Sequence, residues 1–381
     1  MIYLDNASTT KVAPEVYQAM KPYLKKEYGN PSSKYYSLAK SSENAVSVAR
    51  RKLASLLKCE EDEIIFTSGA TESNNFIIKG IANAKKQEGQ HIITTAIEHK
   101  SVLETCRYME SKGWKVSYLE PDENGRIKAS KLEKAIDDNT VLISIMWANN
   151  ELGSLNNIDQ FAEIAEEHDI FFHTDATQII GKKEISLSEL GVNAISLSAH
   201  KIHGPKGIGG VYLSNDDLGF KPDIEPLMHG GNQEYGLRGG TLSVHNIVGF
   251  GKAAELYEQS FKESVKKINE LENQLREKLE QEFDQIIFND GNIDQKIPGI
   301  VSIMIPGTNN EFILSQLDND IAISTGSACS IGEPSHVLKN IGLKEEAIVS
   351  SYRISISKYN DAKEIDSFVD SFSRLVKKYI D

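Results

Sequence analysis

At 381 residues the chain is long for one compact domain, so two domains are expected. Its 55 Asp and Glu against 42 Lys and Arg leave a formal charge of −13, which opposes nonspecific binding to nucleic acid or an anionic membrane. The longest apolar stretch, near Val141 to Ala148, is too short for a bilayer, MIYLDNASTT lacks the pattern of a secretory signal, and three cysteines make no disulfide framework, so a cytoplasmic protein with reduced thiols is expected.

Taken in chain order, Ser41 to Leu57 has apolar residues at helical spacing (Ala45, Val48, Ala49, Leu53, Leu56), with Ser41 or Ser42 as the cap. Glu63 to Thr67 reads as a strand, Glu72 to Glu88 as a helix and His91 to Thr95 as a strand. Ser101 to Ser111 is helical and Trp114 to Leu119 strand-like. Thr140 to Trp147, Ile170 to Thr174, Ala194 to Ser198 and Gly210 to Leu213 read as buried strands, with helices such as Ile158 to His168 between some of them. This alternation predicts an α/β fold with a largely parallel sheet covered by helices. Gly249 to Phe283 is a long charged helical stretch, read as a connector. Beyond it, strand-like pieces at Ile300 to Ile305 and Tyr352 to Ser357 predict a smaller α+β domain. The expected division is a large domain over residues 15–260, with residues 1–14 and 261–381 forming the small one.

Ligands of such sheets sit beyond the carboxyl ends of the strands, which directs attention there. Thr67-Ser-Gly-Ala-Thr-Glu-Ser-Asn-Asn75 follows a strand and opens a helix, so its backbone N–H groups can face an anion. Taken alone, a turn with a Ser or Thr cap explains it at least as well. Asp175 follows a strand, with Gln178 close behind; it suits a cationic ring nitrogen or a helix N-cap. Lys201 follows the apolar strand Ala194 to Ser198, where partial desolvation eases deprotonation, as a Schiff-base lysine requires. Lys206, in a Gly-Pro loop, is the solvated decoy. A phosphate cradle, a strand-end Asp and a strand-end Lys together form a coherent pyridoxal phosphate (PLP) constellation.

Among the cysteines, Cys59 has no special context and Cys106 shares an apolar helix face with Val102, Leu103 and Met109. Cys329 lies in Ser324-Thr-Gly-Ser-Ala-Cys-Ser-Ile-Gly-Glu-Pro-Ser335, a small, polar, Gly-rich loop composition that suits an accessible, reactive thiol. The alternative is a buried small hydrophobe.

The motifs YLDNAST, GNPSS, FTSGATESNN, EHKSV, NNELG, HTDATQ, SAHKIHGPKG, MHGG, RGGT, GSACS and RISIS run in order through almost the whole chain. In them the sequence closely resembles the NifS/IscS-type cysteine desulfurases, fold-type I PLP enzymes of the class-V aminotransferase family. The resemblance implies a large domain with a mostly parallel mixed sheet and a smaller α+β domain. It implies that Lys201 carries PLP as its Schiff base and that Asp175 pairs with the ring nitrogen. His99 stacks on the ring as a candidate acid/base, and Gln178 hydrogen-bonds the phenolic oxygen. Ala70, Thr71, Ser198 and His200 hold the phosphate, and Thr241 reaches the phosphate of the partner's site in a homodimer. Asn150 and Arg353 bind the carboxylate of L-cysteine, and Cys329 takes the sulfur as a persulfide, leaving L-alanine. The bland alternatives are a capping role for His99, a turn role for Asn150 and a surface ion pair for Arg353. A sulfur-acceptor protein, an iron–sulfur scaffold or a thiolation enzyme, is the implied partner; no metal, direct nucleic-acid contact or membrane is expected.

Two departures stand out. The stretch from Cys329 to Ser335 is shorter than in long-loop members, which predicts slow unaided turnover or dependence on a particular acceptor. The chain stops at Asp381, without the C-terminal extension some members use for scaffold docking. Gly239 stands where a serine is common, with Thr241 retained. The rivals are a PLP aminotransferase, a selenocysteine lyase and a non-catalytic sulfur-relay platform.

Overall fold

The computed structural model describes residues 1–216, 218–291, 295–317, 320–326 and 334–380. In chain order its strands are β1 (Ile2–Tyr3), β2 (Ile64–Thr67), β3 (His91–Thr95), β4 (Lys115–Leu119), β5 (Thr140–Ser144), β6 (Phe171–Asp175), β7 (Ala194–Ser198), β8 (Gly209–Leu213), β9 (Ile287–Phe288), β10 (Ile300–Met304), β11 (Ile321–Ala322) and β12 (Ser351–Ser355). Seven of them form one sheet in the order β2-β8-β7-β6-β5-β3-β4. β8 runs antiparallel to both of its neighbours, and the other pairs are parallel. The expected mixed, mostly parallel sheet is therefore present.

The apolar runs of these strands follow from coverage on both faces. Ile64 and Phe66 join one hydrophobic cluster while Ile65 joins the other; Ile93, Ile143 and Phe172 oppose Ile92, Leu142 and Phe171 in the same way. With period-2 side chains and helices on each side, every residue of β2, β3, β5, β6, β7 and β8 is buried, so these strands show no alternation; only the edge strand β4 is partly exposed. Each such large apolar side chain contributes about 1.5–3 kcal/mol on burial.

A separate third cluster gathers Leu271, Leu275 and Leu279 of the long helix Val244–Glu282 with Val301, Ile303, Tyr352 and Ile354 of the sheet β12-β10-β9. Phe368 and Phe372 of the helix Ala362–Ile380 stack within it. Leu4 belongs to this cluster, so the N-terminus packs with the C-terminal part of the chain. The long helix kinks at Ser260, whose hydroxyl donates to Leu256 O at 2.7 Å; this back-bonding loosens the backbone ladder and bends helices.

Local expectations are corrected at several ends. The helix predicted from Ser41 begins at Ser37 behind Tyr36, and neither Ser41 nor Ser42 caps it; Ser42 is buried inside and bonds Glu27 O. The helix predicted from Glu72 starts at Ala70 and ends at Ala84. Asp175 is the last residue of β6 rather than the one after it. Cys106 is fully buried, as its helical face predicts. No described helix is long and apolar enough to cross a membrane.

Candidate active site

The carboxyl ends of β2, β6 and β7 open onto a cavity of about 500 Å³. Ala70, Thr71, His99, Asn150, Asp175, Gln178, Ser198, His200, Lys201 and Arg353 all line it, which brings together most of the residues singled out in the sequence. Thr241 does not line it and is exposed. Cys329 lies outside the described residues.

One end of the cavity is the N-terminus of the helix Ala70–Ala84, whose first N–H groups have no intrahelical partner and carry the positive end of its dipole. The backbone gets there through Gly69 at φ +154°. Gly209, starting β8, lies beneath it: a Cβ on Gly209 would stand 2.6 Å from Gly69 Cα and 2.4 Å from Leu197 O, so only glycine allows this approach. Glu72, an anion in the same first turn, is bound by Arg238 through contacts of 2.8 and 3.2 Å.

At the centre, Asp175 is nearly buried, and its two oxygens are both engaged. Asn74 Nδ2 donates to Oδ2 at 2.8 Å and Thr177 N to Oδ1 at 2.9 Å. Asp175 is no helix N-cap, since only a turn follows it, closed by the bond from Thr177 N, and it lines the cavity. Lys201 is half-buried and donates to Ala7 O and, at 2.8 Å, to Ser8 O. Lys206 is exposed, as expected of the decoy, although it reaches the cavity rim.

His99 is both a cap and a wall of the cavity. Its Nδ1 accepts from Ser101 N at 3.1 Å at the start of the helix Lys100–Ser111. Because a backbone N–H can only donate, the neutral ring carries its proton on Nε2. Burial pushes the His99 pKa down; Asp175 opposes this, and Lys201 and His336 add to it. His200 is driven lower, to about 4, by burial and then by Lys201 and Lys206.

Arg353 is no surface residue: it is 1% exposed in the middle of β12. Its Nη2 donates to Asp5 Oδ1 at 2.8 Å and Ser8 Oγ at 2.7 Å, and its Nη1 to Asn150 O at 3.0 Å and Gly326 O at 2.8 Å. Its Nε has no protein partner among the described residues.

Several residues of the site escape sequence reading. Ala7, Ser8 and Thr9 enter because the N-terminal segment crosses from one core to the other, bridging Asp5 to Ser355 and Thr10 to His200. The signal for them was the YLDNAST match, to which no role was attached. His336 lines the cavity, with Nε2 at 2.9 Å from Glu98 O. Glu98 itself is fully buried behind His99; burial pushes its pKa up to about 8, and its Oε2 lacks a partner among the described residues. Glu151 is also buried, accepts from Ser335 Oγ at 2.5 Å, and is pushed upward by burial against the opposing Ser335, Arg353 and His336. Thr177 Oγ1 and Asn74 Oδ1 are likewise buried without a partner among the described residues. Among the described residues no cluster of His, Cys, Asp or Glu suits a metal.

The arrangement can hold an anion at the helix end, a cationic ring against Asp175, a carbonyl at Lys201 and a carboxylate near Arg353. The model of the aminotransferase class-V family matches residues 2–368. A cysteine desulfurase IscS of Dictyoglomus turgidum is 41% identical over 99% of this chain and 95% of its own. Among solved structures, a NifS-like protein superposes with a TM-score of 0.91 at 35% identity, over 99% of each chain. A structure of SspA in complex with cysteine superposes with a TM-score of 0.83 at 39% identity, over 94% of this chain and 99% of that one. The chain belongs to the class-V aminotransferase family, alongside the IscS-type cysteine desulfurases.

Proposed function

We propose that this chain is a PLP-dependent cysteine desulfurase that moves the sulfur of L-cysteine onto Cys329 and releases L-alanine. The observation that carries the reading is one cavity lined by Lys201, Asp175, His99 and Arg353, with the open helix N-terminus at one end. The residues fit PLP: a helix dipole for its phosphate, a nearly buried carboxylate for its ring nitrogen, and an amine for its aldehyde. The unpartnered buried oxygen of Thr177 adds a polar atom in the cavity wall that a bound group would satisfy. When bound, PLP supplies an electron sink that lets protons leave and join the substrate's α and β carbons.

Lys201 would hold the cofactor through its amine, and the same amine can carry a proton to or from the substrate. Asp175 keeps the ring nitrogen protonated, and Asn74 and Thr177 N fix its carboxylate in place. His99, in the cavity wall, would lie against the ring and act as an acid/base through Nε2, since Nδ1 is committed to the helix cap. Gln178 would bond the phenolic oxygen, and Ala70, Thr71, Ser198 and His200 would hold the phosphate. Arg353 and Asn150 serve the substrate carboxylate, for which a planar guanidinium is suited. Cys329, as thiolate, attacks the substrate sulfur. An S–S bond forms as the C–S bond breaks, and the C–S electron pair stays on the β carbon and takes up a proton. The thiol sulfur is oxidised and the carbon reduced, so no outside oxidant is needed.

Residues 15–260 form the large domain, and 1–14 with 261–381 the small one; the kink at Ser260 and the separate third cluster support that division. The enzyme works as a homodimer in the cytoplasm, with the exposed Thr241 serving the partner's phosphate. It passes its sulfur to an acceptor protein in iron–sulfur cluster assembly or tRNA thiolation. The deciding test follows alanine and sulfide production from L-cysteine with a reductant, in wild type and Cys329→Ala. Equal amounts of both products from wild type and neither from the variant are expected. A variant as active as wild type would sink the sulfur-carrier role and leave a PLP lyase or transferase.

A further inference from the structure

Lys182 lies outside the cavity but touches a residue that lines it. Its Nζ donates to Gln178 Oε1 at 3.1 Å, and Gln178 Nε2 donates to Ala7 O at 2.9 Å. The same Ala7 carbonyl accepts from Lys201. Three hydrogen bonds therefore join Lys182 to the central amine, through a carboxamide and a shared carbonyl.

The backbone brings this about locally. Ile179 N and Ile180 N bond Ala176 O, and Lys182 N bonds Ile179 O, so the segment winds through a tight turn after β6. Gly181 makes the turn at φ +76°, where a Cβ would lie 2.6 Å from Tyr257 Cε1. Glycine there satisfies both the dihedral and the space, and the lysine is returned onto Gln178.

The chemistry of the neighbours fixes which way round the amide sits. The Ala7 carbonyl can only accept, and Lys182 Nζ has hydrogens to donate whether charged or neutral. Nitrogen must therefore face Ala7 and oxygen Lys182, and a flip would set donor against donor and acceptor against acceptor. Nε2 has two hydrogens, and Ala7 O uses one.

The lysine is kept in a setting that does not favour a cation. Among the described residues it makes no ion pair with a carboxylate. Burial, followed by Lys201, Arg353 and Lys296, pushes its pKa down to about 7, with Glu272 opposing. A desolvated amine among other cations costs stability that an apolar side chain would not.

We propose that Lys182 is a positioning residue for the cofactor pocket, locking the Gln178 carboxamide so that its remaining amide hydrogen is presented to an oxygen acceptor in the cavity. This rests on the PLP reading above. Losing that donor weakens the stabilisation of an oxygen anion on the bound cofactor, and so raises the pH at which the bound chromophore deprotonates.

The test is a pH titration of the visible absorption of the PLP-reconstituted protein, in wild type, Lys182→Met, Lys182→Arg, Gln178→Ala and the Lys182→Met/Gln178→Ala double variant. Lys182→Met and Gln178→Ala should each raise the midpoint by about 1 unit, and the double variant should move no further than the single ones. Lys182→Arg keeps a donor-only cation and should retain the wild-type midpoint. An unmoved midpoint in Lys182→Met overturns the proposal. So does an additive shift in the double variant, which would mean that Lys182 acts as a charge and not through Gln178. If Lys182→Met does not fold, the arginine variant decides: a shift there overturns the proposal and a wild-type midpoint supports it. A wild type that binds no PLP and stays colourless would overturn the desulfurase reading and this inference with it.

Discussion

Along the second half of the long helix, Arg276 and Lys296 face Glu272 and Asp290, all buried. Around the cavity, Arg353 meets Asp5, while Lys201 and Asp175 share the wall without a direct contact between them. In the first group the charges balance, and none of the four side chains has a buried unpartnered polar atom. Glu272 alone accepts from Lys296 at 2.6 Å, Arg276 Nη2 at 2.9 Å and Gly299 N at 2.7 Å. In the second group the other nearby carboxyls, Glu98 and Glu151, are pushed by burial toward their neutral forms, so the lining cations Lys100, Lys201, Lys206 and Arg353 outnumber the carboxylates Asp175 and Glu72. Atoms without a partner among the described residues surround them: Arg353 Nε, Thr177 Oγ1, Asn74 Oδ1 and Glu98 Oε2. A closed network holds a fold together. An open, cationic one is suited to a ligand that brings its own negative charges, as PLP and an amino acid do.

The comparison breaks most sharply at Lys201. Lys201→Ala should lower alanine production at least about 10³-fold while urea unfolding changes little, because this amine serves the chemistry and not the balance of a network. Lys206→Ala, which changes a solvated rim cation, should cost less than about 10-fold. Equal losses from the two would erase the distinction between strand-end lysine and decoy.

Glu272 gives the reverse result. Glu272→Ala leaves two buried cations under-compensated and should cost about 3–5 kcal/mol in denaturant melts, with desulfuration per folded molecule nearly unchanged. Burial alone would raise this carboxyl, but Lys296 and Arg276 outweigh it and hold its pKa below the ordinary value of 4.5. Its stabilisation is therefore complete above the ordinary carboxylate range and is lost as pH falls through the depressed value. An acid-unfolding midpoint that the variant does not alter would contradict this.

The smallest net effect is expected at Glu98. Its pKa is raised from 4.5 to about 8, so between those values the unfolded chain ionises the group and the fold does not. Wild type should lose stability over that window as pH rises, with no further loss above it. Glu98→Gln should flatten that slope in melts from pH 5 to 8. The gain is partly offset because the new amide hydrogens enter the space where Oε2 has no partner. Parallel pH profiles for the two proteins would rule out a protonated Glu98.

Much of the architecture was legible because it is local. Strand β7 was read residue for residue, since its apolar run and flanking turn residues lie within one short window. The ends at Ser37 and Ala70 were missed for a related reason: the cap there is not a Ser or Thr hydroxyl but the backbone geometry of Tyr36 and Gly69. Lys201 and Asp175 were legible from their places at strand ends, and the roles of Asn150 and Arg353 came only from motif resemblance. Periodicity alone would have left Arg353 on the surface, whereas it is buried among Asp5, Ser8, Asn150 and Gly326.

By itself the sequence determined the alternating α/β layers, the lysine and aspartate at adjacent strand ends, the small polar setting of Cys329 and, through its ordered motifs, the family. Only the tertiary structure decided that Ala7 and Ser8 receive Lys201, that Asp5 meets Arg353, that His336 backs onto Glu98 and that Lys182 holds Gln178. Side-chain periodicity encodes which face of an element is buried, and therefore reaches only a few residues along the chain. Contacts between Asp5 and Arg353, or between Ala7 and Lys201, depend on how two cores dock and on where the N-terminal segment crosses between them, which no local pattern records.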